Sequence, residues 1–261
     1  MRIGYIDGGA LEAEVAKLAR LLGEENLEFD FIRFISEFGF ERTFYYDAWP
    51  TKKSSESDIE FDIRKQKKAD FFAELNRAPN VHVRTGTTRW DRKERTKQKA
   101  VDVLLATDAL AHALNGVSNQ ACFLLSDLDF YPVFEQLTHT RVRTFLIYWK
   151  GVTNSDLIEA ADAAMAISDW RLLSCLSPSQ VEQYRPMPPN GQHFPMTDEE
   201  QARAVFGKIN ELECAVWRED DGRYTCFYQN SRVSSPKKEL CLAYWTQGGS
   251  ESFKIDLERL S

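Results

Sequence analysis

The chain has 261 residues with 43% apolar side chains and 17 phenylalanines, which is ample for a real core in one larger domain or in one domain plus an appendage. Its formal net charge of −7 does not by itself indicate a nucleic-acid binder, and its five cysteines form no CxxC pair, which argues against a disulfide framework or a zinc knuckle and favours a reducing compartment. No apolar run approaches about 18 residues and no charged-then-apolar leader is present, so we expect a cytoplasmic protein without membrane contact.

Strands and helices alternate through the first 175 or so residues. Short apolar runs predict strands at 1–6, 42–48, 81–84, 121–126, 142–148 and 165–167. Helical spacing predicts helices at 10–22, 58–76, 100–114, 130–138 and 156–164, a helix or long connection at 27–38 and a helical turn at 170–175. Alternation with continuous apolar strands predicts an α/β fold with a mostly parallel central sheet flanked by helices.

The composition changes near residue 177. Serine- and proline-rich stretches predict a linker over 177–196. Beyond it we expect a helix at 197–210 and two hairpins, with strands at 213–218, 223–228, 240–246 and 252–257. The predicted organisation is therefore one α/β domain over 1–176, the linker, and a small α+β or β-hairpin appendage of unknown role over 197–261.

Aspartates stand where two of the predicted strands end. Asp7 follows the first strand, while Asp127 and Asp129 follow the buried run at 121–126, and parallel strands present their carboxyl ends at one edge of a sheet. Asp102 opens a helix beneath a basic connection. Singly, these residues fit ordinary roles: Asp129 as a helix cap, Asp7 in a turn, and Asp102 as a cap or a partner of Lys99. As a set they predict a Mg²⁺ or Mn²⁺ site, because clustered carboxylates need a cation.

A basic stripe precedes the helix that carries Asp102. Seven basic residues oppose Asp91 and Glu94 in the segment 84–99, a local charge of +5. Such a stripe predicts contact with a nucleic-acid backbone even on an acidic protein, because phosphates respond to the local field. Its members are Arg84, Arg89, Arg92, Lys93, Arg95, Lys97 and Lys99.

Four stretches in order resemble the NYN domain family, a PIN-like nuclease group that includes LabA-like proteins. They are YIDG at 5–8, RTFYYDA at 42–48, KAVDVLLATD at 99–108 and LSDLDF at 125–130, and ADAA at 161–164 resembles the group's closing helix and last strand. The resemblance covers residues 1 to 175 and implies a PIN-like, Rossmann-type domain over 1–176.

The resemblance also implies a function, that of a metal-dependent endoribonuclease cutting single-stranded RNA with Mg²⁺ or Mn²⁺. Its catalytic residues and metal ligands would be Asp7, Asp102, Asp127 and Asp129. Asp108 matches a recurrent acid of the family, but it lies about 240° round the helix from Asp102. We therefore expect Asp108 and Ser126 to support the metal ligands or the local structure, and not to bind the metal ion themselves.

Two departures from the family pattern keep an alternative open. Ala10 stands where the family commonly has asparagine, and Ala100 replaces the usual glycine before Val101. Loss of the asparagine removes a polar group that could orient water or phosphate, which favours a catalytically weak or inactive RNA-binding or regulatory module. A third reading is metal-dependent hydrolysis of a small phosphate ester, and a homo-oligomer is left open.

Overall fold

The computed structural model describes residues 1–86, 101–184, 195–245 and 253–259. The chain forms two compact units, one of Met1–Val15 with Phe31–Met165 and one of Ala16–Asp30 with Ala166–Ser261. The predicted boundary between the domains at 176 and the linker after it stay predictions.

A six-stranded sheet forms the centre of the first unit. Its order is β3-β2-β1-β4-β5-β6, and the pairs from β3 through β5 are parallel. The strands are β1 (Arg2–Asp7), β2 (Arg42–Ala48), β3 (Val81–Gly86), β4 (Gln120–Leu124), β5 (Arg143–Trp149) and β6 (Ala163–Ile167). Side chains of the central strands, such as Tyr5 and Phe123, have no exposed surface, which is why these strands read as unbroken apolar runs.

Helices follow the strands in the predicted alternation. They are α1 (Gly8–Leu22), α2 (Phe31–Ser36), α3 (Asp58–Arg77), α4 (Val101–Leu114), α5 (Tyr131–Thr138), α6 (Ser155–Ala160), α7 (Asp169–Ser174) and α8 (Pro178–Tyr184), with a 3₁₀ turn at Leu128–Phe130. Helix α3 begins with a capping box between Ser57 and Glu60, and it ends one residue before the pre-proline position Ala78. The predicted α/β class with a mostly parallel central sheet is confirmed.

One part of the core of the first unit lies between this sheet and helices α4 and α5. Val101, Leu105, Ala109 and Ala113 recur every four residues and form the buried face of α4. The two alanines let the helix backbone approach the sheet closely, so the position of α4 depends on close packing. The first turn of this helix carries Asp102.

A second, antiparallel sheet occupies the C-terminal part of the chain. Its order is β10-β9-β8-β7-β11, and its elements are α9 (Asp198–Arg203), β7 (Val205–Ile209), β8 (Leu212–Arg218), β9 (Tyr224–Tyr228), β10 (Ser231–Ser235), α10 (Lys238–Trp245) and β11 (Phe253–Lys254), with a 3₁₀ turn at Leu257–Arg259. Two of its connections are two-residue turns, Asn210-Glu211 and Gln229-Asn230, in which every residue has positive φ. This geometry is that of type I′ turns, whose twist suits a hairpin.

The sequence-based prediction for this C-terminal part was wrong in four places. The helix expected over 197–210 ends at Arg203, and residues from Val205 form β7 because their alternating side chains pair with β8. The strand expected at 240–246 is helix α10, which buries Leu240 and Cys241 on one side despite its β-forming aromatic residues. Strand β10 was missed, and the predicted strand at 252–257 is reduced to β11.

Part of the predicted linker is helical. Helix α8 runs from Pro178 to Tyr184 and buries the Tyr184 side chain, while residues 185–194 lie outside the described residues. Within the described ranges, no helix has both the length and the apolar character needed to cross a membrane.

Candidate functional site

The four predicted metal ligands lie on three elements of the first unit. Asp7 is the last residue of β1, and its Oδ1 accepts a hydrogen bond from the Ala10 N–H at 3.1 Å. Asp127 caps the 3₁₀ turn after β4, where its Oδ1 accepts from the Asp129 N–H at 2.9 Å. Asp102, Asp127 and Asp129 are exposed, whereas Asp7 is half-buried. Asp129 does not cap α5 as the sequence suggested, because the N-cap of that helix is Phe130 and Asp127 caps the 3₁₀ turn before it.

These carboxylates disfavour one another's negative charge. The pKa of Asp7 is raised to about 6, mainly by burial and then by the charges of Asp102 and Asp47, while the hydrogen bond from the Ala10 N–H opposes the rise. Burial, followed by the charges of Asp127 and Asp129, raises the pKa of Asp102. Asp102 therefore links Asp7 electrostatically to the pair after β4, and all four predicted acids belong to one negatively charged neighbourhood.

The donor chemistry of this neighbourhood suits a hard divalent cation, because carboxylate oxygens are what Mg²⁺ and Mn²⁺ prefer. Among the residues that the structure describes, no three or more His, Cys, Asp or Glu side chains are already arranged to hold an ion. The carboxylates of Asp7, Asp102, Asp127 and Asp129 would have to turn toward one another on binding. A cation at this edge would offset the charge repulsion that, after burial, raises the pKa of Asp7 and Asp102.

A second charged group beside Asp7 was missed by the sequence reading. Lys68 of α3 forms ion pairs with Glu12 of α1 and with Asp47 of β2, and we call these three residues the Lys68 cluster. The Tyr45 hydroxyl donates to Glu12 Oε1 at 3.0 Å, and Asp47 is only 4% exposed. Asp47 lies one residue before the end of β2, beside the end of β1, so the strand-end rule that selected Asp7 could also have selected Asp47.

The carboxylate of Asp108 joins α4 to the sheet through hydrogen bonds with side chains of β2 and β3. The Tyr46 hydroxyl of β2 donates to its Oδ2 at 3.0 Å, and the Arg84 guanidinium of β3 donates Nε to Oδ2 at 2.9 Å and Nη2 to Oδ1 at 3.1 Å. One carboxylate on α4 thus holds two adjacent strands. This arrangement is consistent with the supporting role expected of Asp108, which stays a prediction.

The basic stripe is described only at its first residue. Arg84 is engaged in the bidentate pair with Asp108, and its side chain is 43% exposed. Ser126 is half-buried between β4 and the 3₁₀ turn. The other six basic residues fall outside the described residues, and the roles predicted for them stay predictions. They are Arg89, Arg92, Lys93, Arg95, Lys97 and Lys99.

A parallel α/β sheet with acidic residues at its carboxyl edge defines the class of the first unit as a Rossmann-type domain. The NYN domain model matches residues 20–168, more than half of the chain, and the chain therefore belongs to the NYN domain family, part of the PIN-like superfamily. NYN domains have a PIN-like, nuclease-type fold, and NYN nucleases act on RNA. The matched range includes Asp102, Asp127 and Asp129 but begins after Asp7.

A solved structure of a protein of unknown function from Vibrio parahaemolyticus RIMD 2210633 is similar to this chain, with 16% sequence identity and a TM-score of 0.48. The similarity covers 64% of this chain and 92% of that one. A comparison with curated proteins finds no match.

Proposed function

We propose that the chain is a metal-dependent endoribonuclease that hydrolyses phosphodiester bonds of single-stranded RNA. The observation that carries this proposal is the electrostatic coupling of Asp102 to Asp127 and Asp129, and of Asp7 to Asp102, at the sheet edge of an NYN domain. PIN-like nucleases usually use divalent metal ions. Asp7, Asp102, Asp127 and Asp129 would hold Mg²⁺ or Mn²⁺, which when bound activates water and stabilises the charge of the reacting phosphate.

The chain's own residues have separable tasks in this proposal. Asp127 stabilises the 3₁₀ turn by accepting a hydrogen bond from the Asp129 N–H, and this bond fixes the positions of both residues after β4. Asp7 is fixed in the same way by the Ala10 N–H at the start of α1. Basic side chains of the stripe, from Arg89 to Lys99, would contact the RNA backbone and guide it to the acidic edge.

The test is cleavage of an end-labelled single-stranded RNA with Mn²⁺ or Mg²⁺, comparing the parent chain with Asp127→Asn. Asparagine is as good an N-cap as aspartate, so this substitution removes the charge without removing the acceptor that holds the turn. We expect cleavage to fall by about 100-fold or more, because a weakened metal site stabilises the charge of the transition state less well, and losing one such contribution has this scale.

The matched control is Asp62→Asn, which removes an exposed carboxylate from α3. It should cleave like the parent chain. Equal cleavage by Asp127→Asn and the parent chain would contradict the proposed mechanism.

A second candidate is an RNA-binding or regulatory module without cleavage. It is favoured by Ala10, which offers Asp7 a backbone N–H but has only a methyl group where the family commonly has an amide side chain. RNA retention that is insensitive to a chelator, with no cleavage under any metal condition, would support this candidate over the nuclease.

A further inference from the structure

The Lys68 cluster contains a cation that the chain itself supplies at the acidic edge. The Lys68 side chain is 16% exposed, and its ammonium group contacts one carboxylate oxygen of Glu12 and one of Asp47. The same group lies 5.3 Å from the Phe71 ring centroid and 5.1 Å from that of Phe72. Ring faces attract cations, so the surroundings of Lys68 favour a positive charge at this position.

Asp7 connects the Lys68 cluster with the exposed acids. In the sheet it pairs with Tyr46, the residue before Asp47, and its charge interacts with those of Asp47 and Asp102. Six carboxylates therefore line this edge, namely Asp7, Glu12, Asp47, Asp102, Asp127 and Asp129. Hydrolases that use two metal ions hold them about 3.5–4 Å apart on such a set of acids.

Lys68 already forms ion pairs with two of these six carboxylates, Glu12 and Asp47. Glu12 of α1 and Asp47 of β2 each use one carboxylate oxygen to pair with Lys68, so these oxygens are not available to an external ion. The other Asp47 oxygen, Oδ1, accepts from the Ala48 N–H at 2.7 Å. A divalent ion could bind there only by displacing the ammonium group, and two such charges cannot share the site.

We propose that Lys68 takes the place of a second divalent cation, so that this edge binds one Mg²⁺ or Mn²⁺ ion through the outer acids and Asp7. The inference rests on the proposed function for the identity of that one ion. Lys68 is a positioning residue here: it offsets one of the two negative charges of Glu12 and Asp47, and it keeps both carboxylates away from the ion that Asp7 and the outer acids would bind.

The experiment counts Mn²⁺ ions bound per full-length chain, by calorimetric titration and by the electron paramagnetic resonance of free Mn²⁺. We expect one ion for the parent chain and two for Lys68→Met, because that variant releases Glu12 and Asp47. The matched control is Lys67→Met, which removes an exposed lysine from the preceding position of α3 and should still bind one ion. Circular dichroism establishes that each variant is folded.

Two ions on the parent chain would overturn the inference, and this result does not depend on whether any variant folds. One ion on a folded Lys68→Met chain would overturn it as well. RNA cleavage by a parent chain with two ions would refute the role of Lys68 and leave the nuclease proposal intact. One ion on the parent chain and two on Lys68→Met, without any RNA cleavage, would support the role of Lys68 and refute the nuclease proposal. No bound ion on the parent chain would overturn both proposals.

Discussion

Replacing Asp108 with alanine tests whether α4 is held on the sheet by its carboxylate. The substitution removes three hydrogen bonds at once, one from the Tyr46 hydroxyl and two from the Arg84 guanidinium. It leaves the apolar face of α4 unchanged. We therefore expect a loss of stability that is set by the polar contacts alone.

The size of the loss follows from the exposure of each partner. The Arg84 side chain is 43% exposed, so its ion pair contributes about 0.5–1 kcal/mol after screening by solvent. Tyr46 has no exposed surface, and a buried hydroxyl that loses its acceptor costs about 1–3 kcal/mol. The free energy of unfolding of Asp108→Ala should thus fall by about 1.5–4 kcal/mol.

Two matched variants separate these contributions. Asp108→Asn keeps an oxygen that accepts from Tyr46 and loses the ion pair, and Arg84→Ala loses only the ion pair. Each should cost about 0.5–1 kcal/mol, in the range of partly exposed ion pairs.

The assay is urea unfolding followed by circular dichroism, in which the midpoint moves while the slope with denaturant stays constant. A loss for Asp108→Ala no larger than that for Arg84→Ala would refute the reasoning. It would show that Tyr46 does not depend on Asp108.

Three further outcomes are expected. The pKa of Asp7 is raised from 3.8 to about 6 in the folded chain, so the parent chain loses stability as the pH rises through this window. In the absence of metal, the free energy of unfolding of Asp7→Asn should therefore rise by up to about 3 kcal/mol relative to the parent chain between pH 4 and 7. A difference between the two chains that does not change with pH would contradict this expectation. Gly8→Ala should destabilise the fold by about 1–3 kcal/mol, because a Cβ there would lie 2.4 Å from the Tyr45 ring, whereas Gly9→Ala, with its nearest contact at 3.4 Å, should be nearly neutral in the same urea assay. All five cysteines are buried, so a thiol reagent should label none of them in the native chain within minutes and all five in denaturant; rapid native labelling would contradict the burial.

The sheet and its acidic edge were predictable because local patterns determine them. Continuous apolar runs mark strands buried on both faces, and an aspartate directly after such a run must lie at the carboxyl edge of a parallel sheet. The positions of Asp7 and Asp127 followed from this rule alone. Their use in binding a metal does not follow from it.

The Lys68 cluster could not be read from local patterns. Lys68 and Glu12 are 56 residues apart, and only the tertiary fold brings α3 together with α1 and β2. Arg84 shows the same limit, because it counts as one member of a basic run in the sequence but pairs with Asp108, 24 residues away, in the fold.

The C-terminal sheet was misread where local propensity and tertiary packing disagree. Val205 and Phe206 follow a well-capped helical turn, and the break at Ala204 has no strong sequence signal. The Asn210-Glu211 turn was the available clue, because Asn tolerates the positive φ that a type I′ hairpin needs. In α10, Tyr244 and Trp245 favour a strand by propensity, but their helical position lets Trp245 contact Tyr228.

The central claim is that Asp7, Asp102, Asp127 and Asp129 share one cation. The most direct measurement is the anomalous diffraction of a crystal grown with Mn²⁺. The account predicts one manganese peak with oxygens of these carboxylates about 2.0–2.2 Å away, the distance expected for a small octahedral divalent ion. A map without a manganese peak at this edge, with the four carboxylates pointing apart, would contradict the account.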